Sequence, residues 1–169
     1  MTIKELMTKV GTPDPAFSGI LVADDWVTAI DVTPSGSDAT EDTSYEVIQE
    51  GLTGAPVSTN PETKERQYIR GGKQTVKTGS QVTIALAGTH YVGDPALDYI
   101  LSDVRVFGVG QDVITNFIHY NIKTGKGIKG KCTITVDSYA GGNAGDDSTF
   151  SATLSQTEKE PVAWTYTAI

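Results

Sequence analysis

Period-two alternation is the feature that most restricts how this chain can fold. Over residues 128–138, Ile128, Cys132, Ile134 and Val136 point one way, while Lys129, Lys131, Thr133, Thr135 and Asp137 point the other. Side chains alternate between faces in this way only in an extended strand, so the run demands a sheet with one dry face and one wet face. Residues 148–157 repeat the pattern, setting Phe150, Ala152 and Leu154 against a row of small hydroxyls, Thr149, Ser151, Thr153, Ser155 and Thr157. Residues 74–88 place Val76, Val82, Ile84 and Leu86 on one side, with Gly79 marking a bulge or bend. Residues 26–33 alternate as well, residues 45–50 form a short strand, and Val162, Trp164 and Tyr166 give the apolar face of a last one. Residues 112–122 carry apolar groups on both faces and read as a strand covered on both sides.

One helix interrupts the strands. Asp94 can accept hydrogen bonds from unpaired backbone N–H groups, and Pro95 suits the first helical position, where its missing N–H is no loss. Leu97, Ile100, Leu101 and Val104 follow at i, i+3, i+4 and i+7, an apolar stripe that ends at Gly108 and Gly110. Residues 1–23 hold a short apolar patch (Ile3, Leu6, Met7, Val10) followed by Gly and Pro, and read as an extended arm with a first strand near Ile20, Leu21 and Val22. Residues 34–43 and 51–67 are rich in turn formers and flank one short strand, so residues 34–67 are expected to project from the body as a loop or hairpin. The fold class that results is all-β, a mainly antiparallel sandwich or barrel with one short flanking α-helix. It forms a single domain over residues 1–169.

Catalytic chemistry finds little to build on. His90 and His119 are the only histidines, and neither has the company of ligands that a metal site needs. Cys132 sits on the apolar face of its strand and reads as a buried, inert thiol; alone, it excludes an intramolecular disulfide. Gly108-Val109-Gly110 opens no βαβ unit, and Ser80 lacks the flanking pattern of a hydrolase nucleophile. The pairs Asp24-Asp25, Glu41-Asp42 and Asp146-Asp147 read as solvated loop charge. No enzyme activity, cofactor or metal is expected. No apolar run approaches the roughly 20 residues of a membrane-spanning helix, and no apolar segment follows the N-terminus as a secretory signal requires.

Charge is more informative. The chain carries −8 overall, but residues 10–63 hold ten acidic side chains and no Lys or Arg. A basic block follows at once, with Lys64, Arg66, Arg70, Lys73 and Lys77, and a second cluster comprises Lys123, Lys126, Lys129 and Lys131. The net negative charge argues against nonspecific binding to nucleic-acid phosphates. Segregated patches of opposite sign suit head-to-tail contact between copies, which produces rings or filaments. Pairing of the two blocks inside one chain is the alternative.

The order of these parts resembles the major tail, or tail tube, proteins of bacteriophages with long non-contractile tails. The likeness rests on the acidic stretch from Ser35 through Tyr45, on the strand 74–88 running into Gly93-Asp94-Pro95, and on the loop and strand from Gly141 to Leu154. The resemblance implies six copies in a ring and rings stacked into a hollow tube in the virion, assembled in the host cytoplasm. Double-stranded DNA would pass through without specific binding. Tape-measure, terminator and distal tail proteins would be partners, and a long loop would reach the adjacent ring. Carried onto this sequence, it makes Asp38, Glu41, Asp42, Tyr45, Glu46 and Glu50 candidate contact or lumen charges, with Arg66, Arg70, Lys73 and Lys77 as partners on a neighbouring copy. Lys129 and Lys131 would oppose a repulsive lining if their face met the lumen. Two rival readings are a monomeric carbohydrate-binding or adhesin-like sandwich and another phage part, a head–tail connector or tail terminator. The first would use exposed aromatics (Trp26, Trp164, Tyr45, Tyr68, Tyr91), whereas strand alternation makes Trp26 and Trp164 core residues.

Overall fold

A computed structural model describes residues 1–34 and 44–167, with the side chains of residues 159 and 160 not described. Ten strands are named here in chain order: β1 (Trp26–Asp31), β2 (Tyr45–Val47), β3 (Leu52–Gly54), β4 (Val57–Ser58), β5 (Pro61–Tyr68), β6 (Gly72–Ser80), β7 (Thr83–Thr89), β8 (Ile114–Asn121), β9 (Lys126–Gly141) and β10 (Thr149–Thr165). The helices are α1 (Ile3–Val10), α2 (Pro95–Ile100) and α3 (Asp103–Phe107). Eight strands form one antiparallel sheet in the order β2-β1-β8-β9-β10-β7-β3, with β4 also paired to β7. The sheet curls into a half-barrel, the all-β fold expected, with α2 as its flanking helix.

Register fixes what each face carries. Thr115↔Cys132, His119↔Ile128, Ile134↔Leu154 and Leu154↔Ile84 are cross-strand partners, and partners share a face. The concave face therefore gathers Ile30, Phe117, Cys132, Ile134, Leu154, Ile84 and Leu86, closed over by Ile48 and by Leu97 and Ile100 of α2. On the convex side a second, smaller core joins Ala29, Tyr45, Val47, Ile118 and Tyr120 to Ile3 and Met7 of α1. Strand β8 is thus dry on both faces, as its sequence implied. Burial pushes the Cys132 thiol up to about 12, consistent with an inert core position.

Three local expectations are revised. Residues 3–10 form a helix rather than an extended arm. Thr2 and Glu5 cap it reciprocally, the Thr2 N–H donating to Glu5 Oε2 at 2.9 Å and the Glu5 N–H donating to Thr2 Oγ1 at 3.3 Å. Residues 20–22 form no strand, and Ile20 is exposed. The 95–107 helix breaks at Leu101-Ser102, where the Ser102 hydroxyl donates to the Tyr99 carbonyl at 2.8 Å, so Val104 leaves the apolar stripe and is exposed on α3.

Asp94 does more than cap. Its Oδ1 accepts from the N–H groups of Ala96 and Leu97, at 3.0 and 3.4 Å. Its Oδ2 accepts from those of Gln49 and Glu50, at 3.1 and 2.9 Å. One buried carboxylate so ties the start of α2 to the link between β2 and β3. Asp94→Ala is expected to cost about 3 kcal/mol or more, a lost cap plus orphaned N–H donors, with Asp94→Asn less harmful because an acceptor oxygen remains. Urea unfolding followed by circular dichroism checks the order wild type, Asn, Ala.

Candidate functional site

Strands β5 and β6 form a separate two-stranded ribbon. From Thr59 to Thr78 every residue is exposed, so the ribbon buries no face of its own. An unsupported hairpin is marginal in water, and this one depends on main-chain pairing and on its root. The root is a polar clamp. The Asn60 side-chain amide donates to the Gln81 carbonyl at 3.1 Å and to Thr83 Oγ1 at 2.9 Å. The Gln81 amide donates to the Gln156 carbonyl at 3.1 Å, and Gln156 Oε1 accepts from the Val82 N–H at 2.8 Å. The run 74–88 is therefore split between the ribbon and the body at Gln81-Val82, while the register shift falls between Glu62 and Thr63, opposite Thr78 and next to Gly79.

The ribbon spans residues 61–80 and carries five cations against two carboxylates, a net of +3, which leaves −11 for the rest of the −8 chain. Cross-strand pairing sets Lys64, Arg66 and Tyr68 on one face with Val76 and Gln74; Glu65, Lys73 and Lys77 lie on the other. Lys73 pairs with Glu65 at 2.6 Å. Among the described residues Lys64, Arg66, Arg70 and Lys77 make no ion pair, so the ribbon is not neutralised by the described part of the acidic block.

The other candidate residues divide. Tyr45 is buried in the convex-side core, and burial together with Asp31 raises its phenol well above the ordinary range, which withdraws it from the contact candidates. Glu46 is half-buried, and Oε2 pairs with the Met1 amine at 2.6 Å. Glu50 is exposed. Asp38, Glu41 and Asp42 lie outside the described residues. Lys131 pairs with Glu158 at 3.2 Å and Lys129 is also engaged, so neither stands as a bare cation on its strand face.

A feature the sequence did not disclose is a pocket at the open end of the half-barrel. It measures about 770 Å³ and is lined by Trp26, His119, Lys126 and Ile128 from one limb of the sheet and by Ala55, Pro56 and Val57 from the other. Trp26 is not a core residue: it is 44% exposed and stacks on the His119 ring, centroids 5.2 Å apart and planes 2° from parallel. His119 is buried, with Nδ1 3.0 Å from Thr28 Oγ1. Its polar atoms are thus partly spent, and the pocket offers few groups for a polar ligand. Among the described residues no three metal-ligating side chains come together, and no helix is long and apolar enough to cross a membrane.

By sequence the chain matches no family model and no curated protein. By structure it matches a chain from the tail of an empty gene transfer agent particle, refined helically with C6 symmetry, at TM-score 0.59 and 17% identity over 88% of this chain and 100% of the other. A chain from the virion of a native gene transfer agent particle aligns at 0.54 and 14%, over 88% and 100%. A chain from the sheath/tube terminator of an extracellular contractile injection system, PVC, in its extended state aligns at 0.53 and 11%, over 88% and 99%. At these identities the likeness is one of fold, and it extends across nearly the whole length of each partner.

Burial pushes the His119 imidazole down to about 4, below the ordinary value near 6.5. The folded chain therefore prefers the neutral ring. Its stability is full above about pH 6.5 and falls as the pH drops from there toward 4, by on the order of 3 kcal/mol. Thermal melts at pH 7 and pH 4.5 should show a larger loss for the wild type than for His119→Gln, which has no imidazole to protonate. Equal losses would refute the assignment.

Proposed function

We propose that this chain is a structural subunit of the tail of a phage or phage-like particle, assembling with copies of itself into stacked six-membered rings that form a hollow tube. The observation that carries the reading is the exposed cationic ribbon on an otherwise anionic body. A ribbon of +3, most of whose cations have no ion-pair partner among the described residues of its own chain, is complementary to a body of −11 on another copy. Such a contact joins two different surfaces, so it propagates into rings or filaments rather than closing a dimer. The shared fold with chains of tail particles supports the same reading. The arm that reaches a neighbour is then residues 61–80, and the acidic residues 38, 41, 42 and 50 remain candidate contact or lumen charges.

On this reading the protein works without catalysis. Genomic DNA traverses the tube during ejection, and the surplus negative charge keeps the duplex from adhering. The virion is its site of action and the host cytoplasm its site of assembly, with tape-measure, terminator and distal tail proteins as further partners.

The double variant Arg66→Glu/Arg70→Glu tests the ribbon's part in this. Both positions are exposed, so dilute protein should melt at the wild-type temperature. At concentrations where the wild type forms tubes in negative-stain micrographs, the variant should remain unassembled, because two attractive contacts per copy become repulsive. Normal tubes from the variant would remove the ribbon's charge from the mechanism. Single wild-type rings would favour a terminator or connector, and glycan-binding monomers would favour the lectin-like reading.

A further inference from the structure

The ribbon's tip is apolar where its shaft is charged. Tyr68 and Ile69 stand at the turn, and Ile69 is fully exposed, with nothing among the described residues of its own chain to cover it. The pocket of Trp26, Pro56, Val57 and Ile128 is its chemical counterpart: apolar, concave and unfilled by any described part of this chain. A cavity of about 150 Å³ already accommodates a benzene ring, so 770 Å³ has room for both tip side chains.

From these observations we infer that the Tyr68-Ile69 tip of one copy seats in the Trp26–Val57 pocket of the next. The inference rests on the self-assembly reading and names the receptor that reading lacks. Geometry excludes the same copy as host. The pocket lies beside the ribbon's own root, at Val57, while eight paired residues at about 3.3 Å each carry the tip about 26 Å away. A tip-to-root contact thus links successive copies head to tail. Charge sets the orientation. Asp24 is exposed between the lining residues Ala23 and Trp26, at the side an incoming Arg70, which has no partner among the described residues of its own chain, would approach. The one cation of the lining, Lys126, has its amine 3.5 Å from the Pro15 carbonyl. The scarcity of free polar groups in the pocket disfavours a sugar and favours a side chain such as isoleucine.

The test is a disulfide between copies. The native thiol, Cys132, is buried, so Ile69→Cys and Val57→Cys supply the only reactive pair. Sulfur bridges require Cα atoms within about 7 Å, which the tip and root of one copy cannot meet. Oxidised assemblies of the double variant should give a ladder of covalent multimers on non-reducing gels, and each single variant should stay monomeric. Tubes without the ladder would overturn the docking while leaving self-assembly intact, whereas a wild type that never assembles would overturn both. Ile69→Ser should leave the melting temperature of dilute protein unchanged and raise the concentration needed for assembly about thirtyfold, the loss expected for a central apolar anchor. Assembly of that variant at the wild-type concentration would also refute the docking.

Discussion

The long antiparallel pairing of β9 with β10 is the interaction on which the rest of the structure depends. It runs from Thr149↔Gly141 to Thr165↔Lys126, interrupted by register shifts after Thr149, after Ser151 and between Thr157 and Val162. Such shifts bend a strand and increase its twist. The other strands attach in order to either side, β8, β1 and β2 along one limb and β7, β3 and β4 along the other. The curl of this pair sets the depth of the concave face. Leu97 and Ile100 fill that face at one end, and the other end is left open as the pocket.

Burial and charge are divided between body and ribbon. The body owes its stability to two apolar cores on opposite faces of one sheet, together with a small set of satisfied polar groups such as Asp94 and the Asn60-Gln81-Gln156 clamp. The ribbon buries nothing and holds four cations without ion-pair partners among the described residues. A segment so exposed gains little from folding as a monomer, and what it lacks is what a second copy can supply. The clamp at its root matters for the same reason. It fixes the ribbon's exit from the sheet, so that a tip about 26 Å away keeps a defined position relative to the body.

Much of this was legible residue by residue. The strands around Cys132, Leu154 and Phe117 follow from alternation, and the start of α2 from Asp94-Pro95. Even α1 is spelled out, since Thr2 and Glu5 form a capping box and Ile3, Met7 and Val10 lie at helical spacing, although Gly11, Pro13, Pro15 and Gly19 follow it at once and favour an irregular arm. The ribbon's limit is only half legible, because Val76 keeps the same parity as Val82, Ile84 and Leu86; Gly79 and the polar Thr78 and Ser80 mark a bend there but do not say that the sheet stops covering the strand. Trp26 shares a face with Ile30 but not its depth, and alternation reports the face alone.

Sequence alone thus determined the local geometry: which residues are extended, which share a face, where α2 is capped, and how the −8 is distributed into opposed blocks. These depend on neighbours along the chain, whose spacing the backbone fixes. Only the tertiary structure decided which of those faces is covered. It left 61–78 bare and Ile69 uncovered among the described residues, and it placed Val57 opposite Trp26 and Ile128 across an open end. Those outcomes depend on how far the sheet curls and which distant segments meet, and no local period encodes either.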